Sequence, residues 1–203
     1  SPILIPHVES IQTYLRIFGT VPDDLMTSSY GMAIQYDPTC SAIRMREEGA
    51  LTNNRVFYFS PATRAGQTLW QLGLEIFDCE LPYGEAETIM SLLAVLESVG
   101  IRDYRVSLAP PGYEGIMVGP ENLDRAWRES LNPLICLLGE RAIIGGVFPP
   151  GMAYYRKVRF LIYVKGMGKP AGGGGRYDGT TKGLVGTGGY LDLEAIGRFI
   201  CSR

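Results

Sequence analysis

The sequence is short of the residues that most often carry polar chemistry. It holds one histidine, His7, next to Pro6 in the first ten residues. A catalytic dyad or an imidazole metal cluster has no other candidate, so His7 reads as structural. The cysteines are four: Cys40, Cys79, Cys136 and Cys201. They stand far apart with no C-x-x-C pair, which removes support for a zinc site. Free, mostly buried thiols in a reducing cytosol are the expectation. An excess of one charge is also missing, because 19 Lys and Arg face 21 Asp and Glu, for a net charge of −2. No global basic field points to nucleic acid, and no nucleic-acid partner is expected. The late basic residues, from Arg156 and Lys157 to Arg198, read as a solvated sheet face. No leader-like segment opens the chain and no apolar run is long enough to span a bilayer. A cytoplasmic protein with no membrane partner, no metal and no cofactor is therefore expected.

What remains is ordinary for a globular protein: 46% hydrophobic and 20% charged residues in a chain of 203, enough for a real core. We read residues 1–203 as one domain, with a boundary or mobile segment near 109–150. There Ala109-Pro110-Pro111-Gly112 breaks the pattern, and Gly139 to Pro150 is rich in glycine and proline. Glu85 to Val99 is the clearest helix. Ile89, Leu92, Leu93, Leu96 and Val99 give it a core stripe, and Gly100 closes it.

Two stretches carry more information. In the first, Gly172 to Gly175 are followed by Arg176-Tyr177-Asp178-Gly179. Four glycines let a backbone approach something closely, with opposite charges and an aromatic wall beside the approach. A dinucleotide loop is not supported, because Tyr177 stands where its sixth-position glycine belongs and no Gly-Lys-Ser/Thr follows. A flexible loop is the plain alternative. In the second, Thr68 to Phe77 alternates with period two. Thr68, Trp70, Leu72, Leu74 and Ile76 share one face. Gln71, Gly73 and Glu75 share the other with Leu69 and Phe77. Burying Gln and Glu without partners is costly, so this face is either an exposed polar surface or the floor of a polar pocket. The glycine would leave space there for a ligand, and the carboxylate would accept a hydrogen bond from it.

The order of segments resembles the catalytic core of the histidyl-tRNA synthetase family. Gly151-Met152-Ala153-Tyr154-Tyr155 resembles its "GLDYY" segment, residues 172–179 its "GGRYDG" run, and Gly186 to Gly197 its third class II motif. Strand 68–77 is similar to its "F-x-Q-x-G-x-E" strand, and Asp37-Pro38-Thr39 to an acid-x-Thr segment that binds the substrate's amino group. Asp37 reads equally well as the cap of the following helix. The resemblance implies an α+β fold, a class II synthetase-like antiparallel sheet flanked by helices. It also implies a histidine-like pocket of Asp37, Thr39, Gln71, Glu75, Tyr154 and Tyr155. Arg64, after the strand Arg55 to Phe59, falls on the arginine that holds the α-phosphate of ATP. Arg64 and Arg176 are the implied anion contacts.

Other family positions are not matched. Gly66 replaces the acid after the motif-two arginine, Pro150 the arginine before the "GLDYY" glycine, and Ala195 the motif-three arginine. Positions for the amino acid survive, while those for adenylation are lost. This pattern resembles the family's non-catalytic paralogue, the regulatory subunit of ATP phosphoribosyltransferase. It implies a short-form catalytic subunit as partner, histidine as effector, a homodimer through the Pro6 segment, and no catalytic residues. A histidyl-tRNA synthetase fragment and an amino-acid-binding interaction module are the alternatives.

Overall fold

A computed structural model describes residues 1–113, 115, 117–148, 155–178 and 183–202. The chain begins with β1 (Val8–Ser10) and α1 (Ile11–Phe18), then β2 (Met32–Ile34), which pairs antiparallel with β1. The Ser10 hydroxyl caps α1 by accepting from the Gln12 amide, and Gly19 ends it at φ 80°, a left-handed value that glycine adopts without strain. Next comes α2 (Pro38–Glu47), whose first turn is set by Pro38 and by the Asp37 cap. A hairpin of β3 (Arg55–Arg64) and β4 (Gln67–Phe77) turns through Ala65 and Gly66, at φ 48° and 73°. β3 continues through Pro61 to Arg64, beyond the Phe59 end expected from sequence. It lies at the sheet edge, where a missing N–H is tolerated.

The rest of the chain is α3 (Tyr83–Ser98), β5 (Tyr104–Ala109), β6 (Met117–Val118), α4 (Arg125–Leu138), β7 (Ala142–Gly145), β8 (Arg159–Val164), β9 (Gly172–Asp178), β10 (Val185–Asp192) and α5 (Leu193–Cys201). Among the described residues, eight strands form one sheet in the order β3-β4-β10-β9-β8-β5-β7-β6. Its pairings are antiparallel except for the parallel β5–β7 pair. This is the expected α+β architecture, a large sheet flanked by helices.

One face of the sheet carries the larger core, in which Leu92, Leu93 and Leu96 of α3 and Leu131 and Leu134 of α4 pack on Val106, Phe160, Ile162 and Leu191. On the other face Ala42 and Ile43 of α2 pack with Val56, Tyr58, Phe77, Tyr155, Leu161 and Tyr177. No helix among the described residues is long and apolar enough to cross a membrane.

Two segments differ from the sequence reading. Within the stretch 139–150, read as a loop, Ala142–Gly145 is a buried strand. Four apolar residues are too few to show a period, and α4 serves as the crossover that makes this strand parallel to β5. The glycine run is β9, a fully hydrogen-bonded strand and not a flexible loop. Its glycines are needed for close approach, but to the protein's own backbone and side chains. A Cβ on Gly174 would collide with the Gly188 carbonyl oxygen and lie 2.7 Å from the Phe160 ring, and one on Gly175 would lie 2.8 Å from the Tyr155 ring. The side-chain packing these glycines admit offsets the backbone entropy that ordering them costs. The thiols also differ from expectation: Cys40 is buried, whereas Cys136 and Cys201 are exposed.

Candidate functional site

The site lies where β4 faces α2. Strand register sets Glu75 opposite Val56 of β3 and Gly188 of β10, and Gly73 opposite Tyr58 and Tyr190. Gln71 stands opposite Ser60 and Asp192. The burial order is the reverse of a solvated polar face. Gln71 is 2% and Glu75 0% exposed, while Trp70 on the apolar face is 37% exposed. A strand that buries its carboxylate and leaves its tryptophan half in water is not patterned for stability alone.

Among the described residues, Glu75 is held by hydroxyls. Its Oε1 accepts from Thr39 Oγ1 at 2.7 Å and from Tyr58 OH at 3.2 Å, and its Oε2 accepts from Tyr177 OH at 3.1 Å. No cation is salt-bridged to it among the described residues. Burial, followed by the charge of Asp37, pushes its carboxyl up to about 8 against the pull of the three hydroxyls. Burial also pushes the Tyr58 and Tyr177 phenols well up, so both stay protonated donors. The glycines make room for this arrangement. A Cβ on Gly188 would collide with the Glu75 carboxylate, and one on Gly73 with the Tyr58 ring. The space expected over Gly73 for a ligand is therefore occupied by Tyr58.

Asp37 stands at the head of α2, where its side chain meets the Thr39 amide and Arg64. Its Oδ1 accepts from the Thr39 amide at 3.0 Å, which is the cap. Its Oδ2 meets Arg64 Nη2 at 3.1 Å. Through Thr39, whose hydroxyl reaches Glu75, it joins a continuous hydrogen-bonded path from Arg64 to Tyr177. Tyr155 is buried with its ring 6.5 Å from that of Tyr177. Tyr154 lies outside the described residues. Gln71 has no hydrogen-bond partner for its amide among the described residues, although it is nearly fully enclosed.

Arg176 is elsewhere. It is buried, with Nε and Nη2 on the Glu85 carboxylate at 2.5 and 3.0 Å and Nη1 on the Cys79 carbonyl at 2.9 Å. It ties β9 to the N-terminus of α3. The structure thus brings together Asp37, Thr39, Gln71, Glu75, Tyr155 and Arg64, and sets Arg176 apart. The Tyr58 and Tyr177 hydroxyls complete the group. Sequence alone marked Tyr177 as a wall and passed over Tyr58, although it carries the one hydroxyl in RVFYF.

An enclosed acid with hydroxyl partners and, among the described residues, no cation, beside a second carboxylate, suits a ligand that brings its own positive or N–H-bearing groups. Sheet, flanking helices and this strand-floor site together define a class II aminoacyl-tRNA synthetase-like fold. No family model matches the chain, and no curated protein matches it. Solved structures do. The chain resembles an ATP phosphoribosyltransferase regulatory subunit/histidyl-tRNA synthetase from Bacillus halodurans, with TM-score 0.79 and 17% identity over 96% of this chain and 73% of that one. It also resembles a histidine–tRNA ligase subunit from Alicyclobacillus acidocaldarius, with TM-score 0.69 and 16% identity over 95% and 85%. The apo histidyl-tRNA synthetase of S. aureus matches with TM-score 0.65 and 19% identity. This chain spans 58% of that enzyme's length. At these identities the likeness is one of fold.

Proposed function

We propose that the chain is a non-catalytic, synthetase-like regulatory subunit that supports a short-form ATP phosphoribosyltransferase in the first step of histidine biosynthesis, with histidine as its effector. The observation that carries this reading is the enclosed Glu75, wrapped by Thr39, Tyr58 and Tyr177 and linked through Thr39 to Asp37. Such a group can take an imidazole N–H at Glu75 and an ammonium at Asp37. The replacements Pro150 and Ala195 support the non-catalytic half, since arginines that steady phosphate charge in adenylation are missing from those positions. End-product binding to a subunit that makes no product is an allosteric arrangement, in which histidine shifts the assembly between states of different activity.

A homodimer through the segment around Pro6 belongs to the same reading. Leu4 and Val8 flank that proline with 91% and 48% exposure, a large apolar surface for a monomer to leave in water. Size-exclusion chromatography with light scattering is expected to give twice the chain mass.

The deciding assay is phosphoribosyl-ATP formation by a short-form catalytic subunit, with and without this protein, across a histidine titration. Activity should appear on mixing and respond to histidine. Unchanged activity on mixing would remove the regulatory reading. Histidine-dependent exchange of pyrophosphate into ATP by the chain alone would replace it with histidine activation.

A further inference from the structure

We infer that Gln35 couples the Pro6 segment to the amino-acid pocket: it sets the first turn of α2, and with it Thr39 on Glu75, according to how the Pro6 segment is seated. The inference rests on the homodimer and the histidine pocket proposed above and adds the link between them.

The link begins at an enclosed amide. Gln35 follows the last residue of β2 and is 1% exposed, while its neighbour Ile34 is 43% exposed. Pairing sets Ile34 opposite Val8 and Met32 opposite Ser10, so Val8, Met32 and Ile34 share the outer face of the β1–β2 pair. Gln35 therefore points inward from the apolar surface that the proposed dimer covers. Both N–H groups of its side chain are used. Nε2 donates to the Pro6 carbonyl at 3.0 Å and to Ser41 Oγ at 2.7 Å, and Oε1 accepts from Tyr14 OH at 2.5 Å. Its backbone N–H donates to the His7 carbonyl at 2.9 Å, and its carbonyl accepts from the Thr63 amide at 2.7 Å. One residue thus ties the Pro6 segment to α1, α2 and β3.

Ser41 carries the connection into α2. Its hydroxyl donates to Glu9 Oε2 at 2.6 Å, and Glu9, in the middle of β1, also accepts from Arg44 Nε at 3.1 Å. Ser41 and Arg44 so pin α2 to the strand that follows Pro6. In the same helical turn as Ser41, Thr39 Oγ1 donates to Glu75 Oε1 at 2.7 Å. A buried network with its members paired specifies one arrangement. If the Pro6 carbonyl withdraws, an enclosed N–H loses its acceptor, which is costly unless Gln35 and the head of α2 move too. The place of Thr39 on Glu75 then depends on the Pro6 segment. A second copy that holds this segment favours the closed pocket, and a ligand in the pocket favours the dimer by the same factor.

The test is a double-variant cycle on the whole protein, with histidine as the calorimetric probe and light scattering for the oligomer. Leu4→Glu with Val8→Glu should give a monomer that binds histidine about fivefold or more weakly than wild type. Gln35→Met should show a similar loss. Combining the two sets should add no more than about twofold, because both remove one link. Ser41→Ala removes the junction but leaves Gln35 on Pro6. It should behave like Gln35→Met, and it serves in its place if near-UV circular dichroism shows that Gln35→Met is unfolded. Losses that multiply would make Gln35 a local support and overturn the inference. A monomer that binds histidine as tightly as wild type would also overturn it, and the pocket would stand. A dimer that survives Leu4→Glu with Val8→Glu would put the interface away from Pro6 and overturn it too. A wild type that is monomeric, or that takes up no histidine, would instead remove the reading beneath the inference.

Discussion

Glu75 and Glu85 are both 0% exposed, and the protein treats them in opposite ways. Glu85 meets Arg176 through two hydrogen bonds, and Arg176 also donates to the Cys79 carbonyl. That charge is balanced inside the chain, and the pair joins β9 to α3. Glu75 has three hydroxyls and no salt-bridged cation among the described residues. Among the described residues no cation balances it, and its carboxyl rises to about 8. A buried pair of matched charges holds elements together at rest. An unmatched acid in an equally dry place is a cost that the fold alone does not explain. The contrast separates scaffold from site more sharply than position in sequence does.

The largest way to break the contrast is at the matched pair. Arg176→Met leaves Glu85 buried without a partner, and is expected to cost about 3–5 kcal/mol in urea unfolding. Adding Glu85→Leu should recover much of that loss, since apolar residues of similar volume replace buried pairs at little cost. If Arg176→Met alone were nearly neutral, Glu85 would not be the balanced member of the comparison.

Glu75→Gln tests the unmatched acid through pH. The folded carboxyl titrates at about 8, above its ordinary value of 4.5. Between those values the folded chain keeps a proton that the unfolded chain releases, so wild-type stability falls as pH rises through the window. The slope is at most about 1.4 kcal/mol per pH unit. Glu75→Gln should match wild type near pH 5 and exceed it increasingly towards pH 8 in parallel urea series. Parallel curves for the two proteins would mean that Glu75 is ionised throughout.

Gly188→Ala sharpens the same point sterically. The new methyl group would collide with the Glu75 carboxylate across the β4–β10 pair. Overpacking of this kind costs about 1–3 kcal/mol, read as a lower urea midpoint at unchanged slope.

These tests also mark what the sequence could and could not say. The alternation in 68–77 put Gln71, Gly73 and Glu75 on one face, because strand period is a local property. Asp37 was legible both as a cap and as an acid at the head of a helix, and it caps α2 while pairing with Arg64. The partners of Glu75 were not legible. Tyr177 lies 102 residues away, and reaches Glu75 only because β10 pairs with both β4 and β9. Arg176 and Glu85, 91 residues apart, meet where α3 packs beside β9. The glycine run announced a close approach, but not that the protein's own backbone and rings make it. Register between distant strands depends on pairings that no short window contains.

The smallest expected effect discriminates most finely. Tyr58 donates to Glu75 Oε1 at 3.2 Å and lies 3.5 Å from Thr39 Oγ1, so it shares its acceptor with a closer hydroxyl. Tyr58→Phe keeps the ring that fills the space over Gly73 and removes only the donor. Near pH 6, where Glu75 is a neutral acid, that bond is worth about 1 kcal/mol. Above pH 8 the acceptor carries a charge, and hydrogen bonds to charged groups are worth about 1.5–3 kcal/mol. The cost of Tyr58→Phe should therefore grow as pH rises from 6 to 9, and the growth should vanish in a Glu75→Gln background. No comparable growth is expected for changes around Glu85, whose cation is present at every pH in that range. A Tyr58→Phe cost that stays flat from pH 6 to 9 would mean that Glu75 already carries its charge at pH 6, and the two acids would differ in their partners but not in their ionisation.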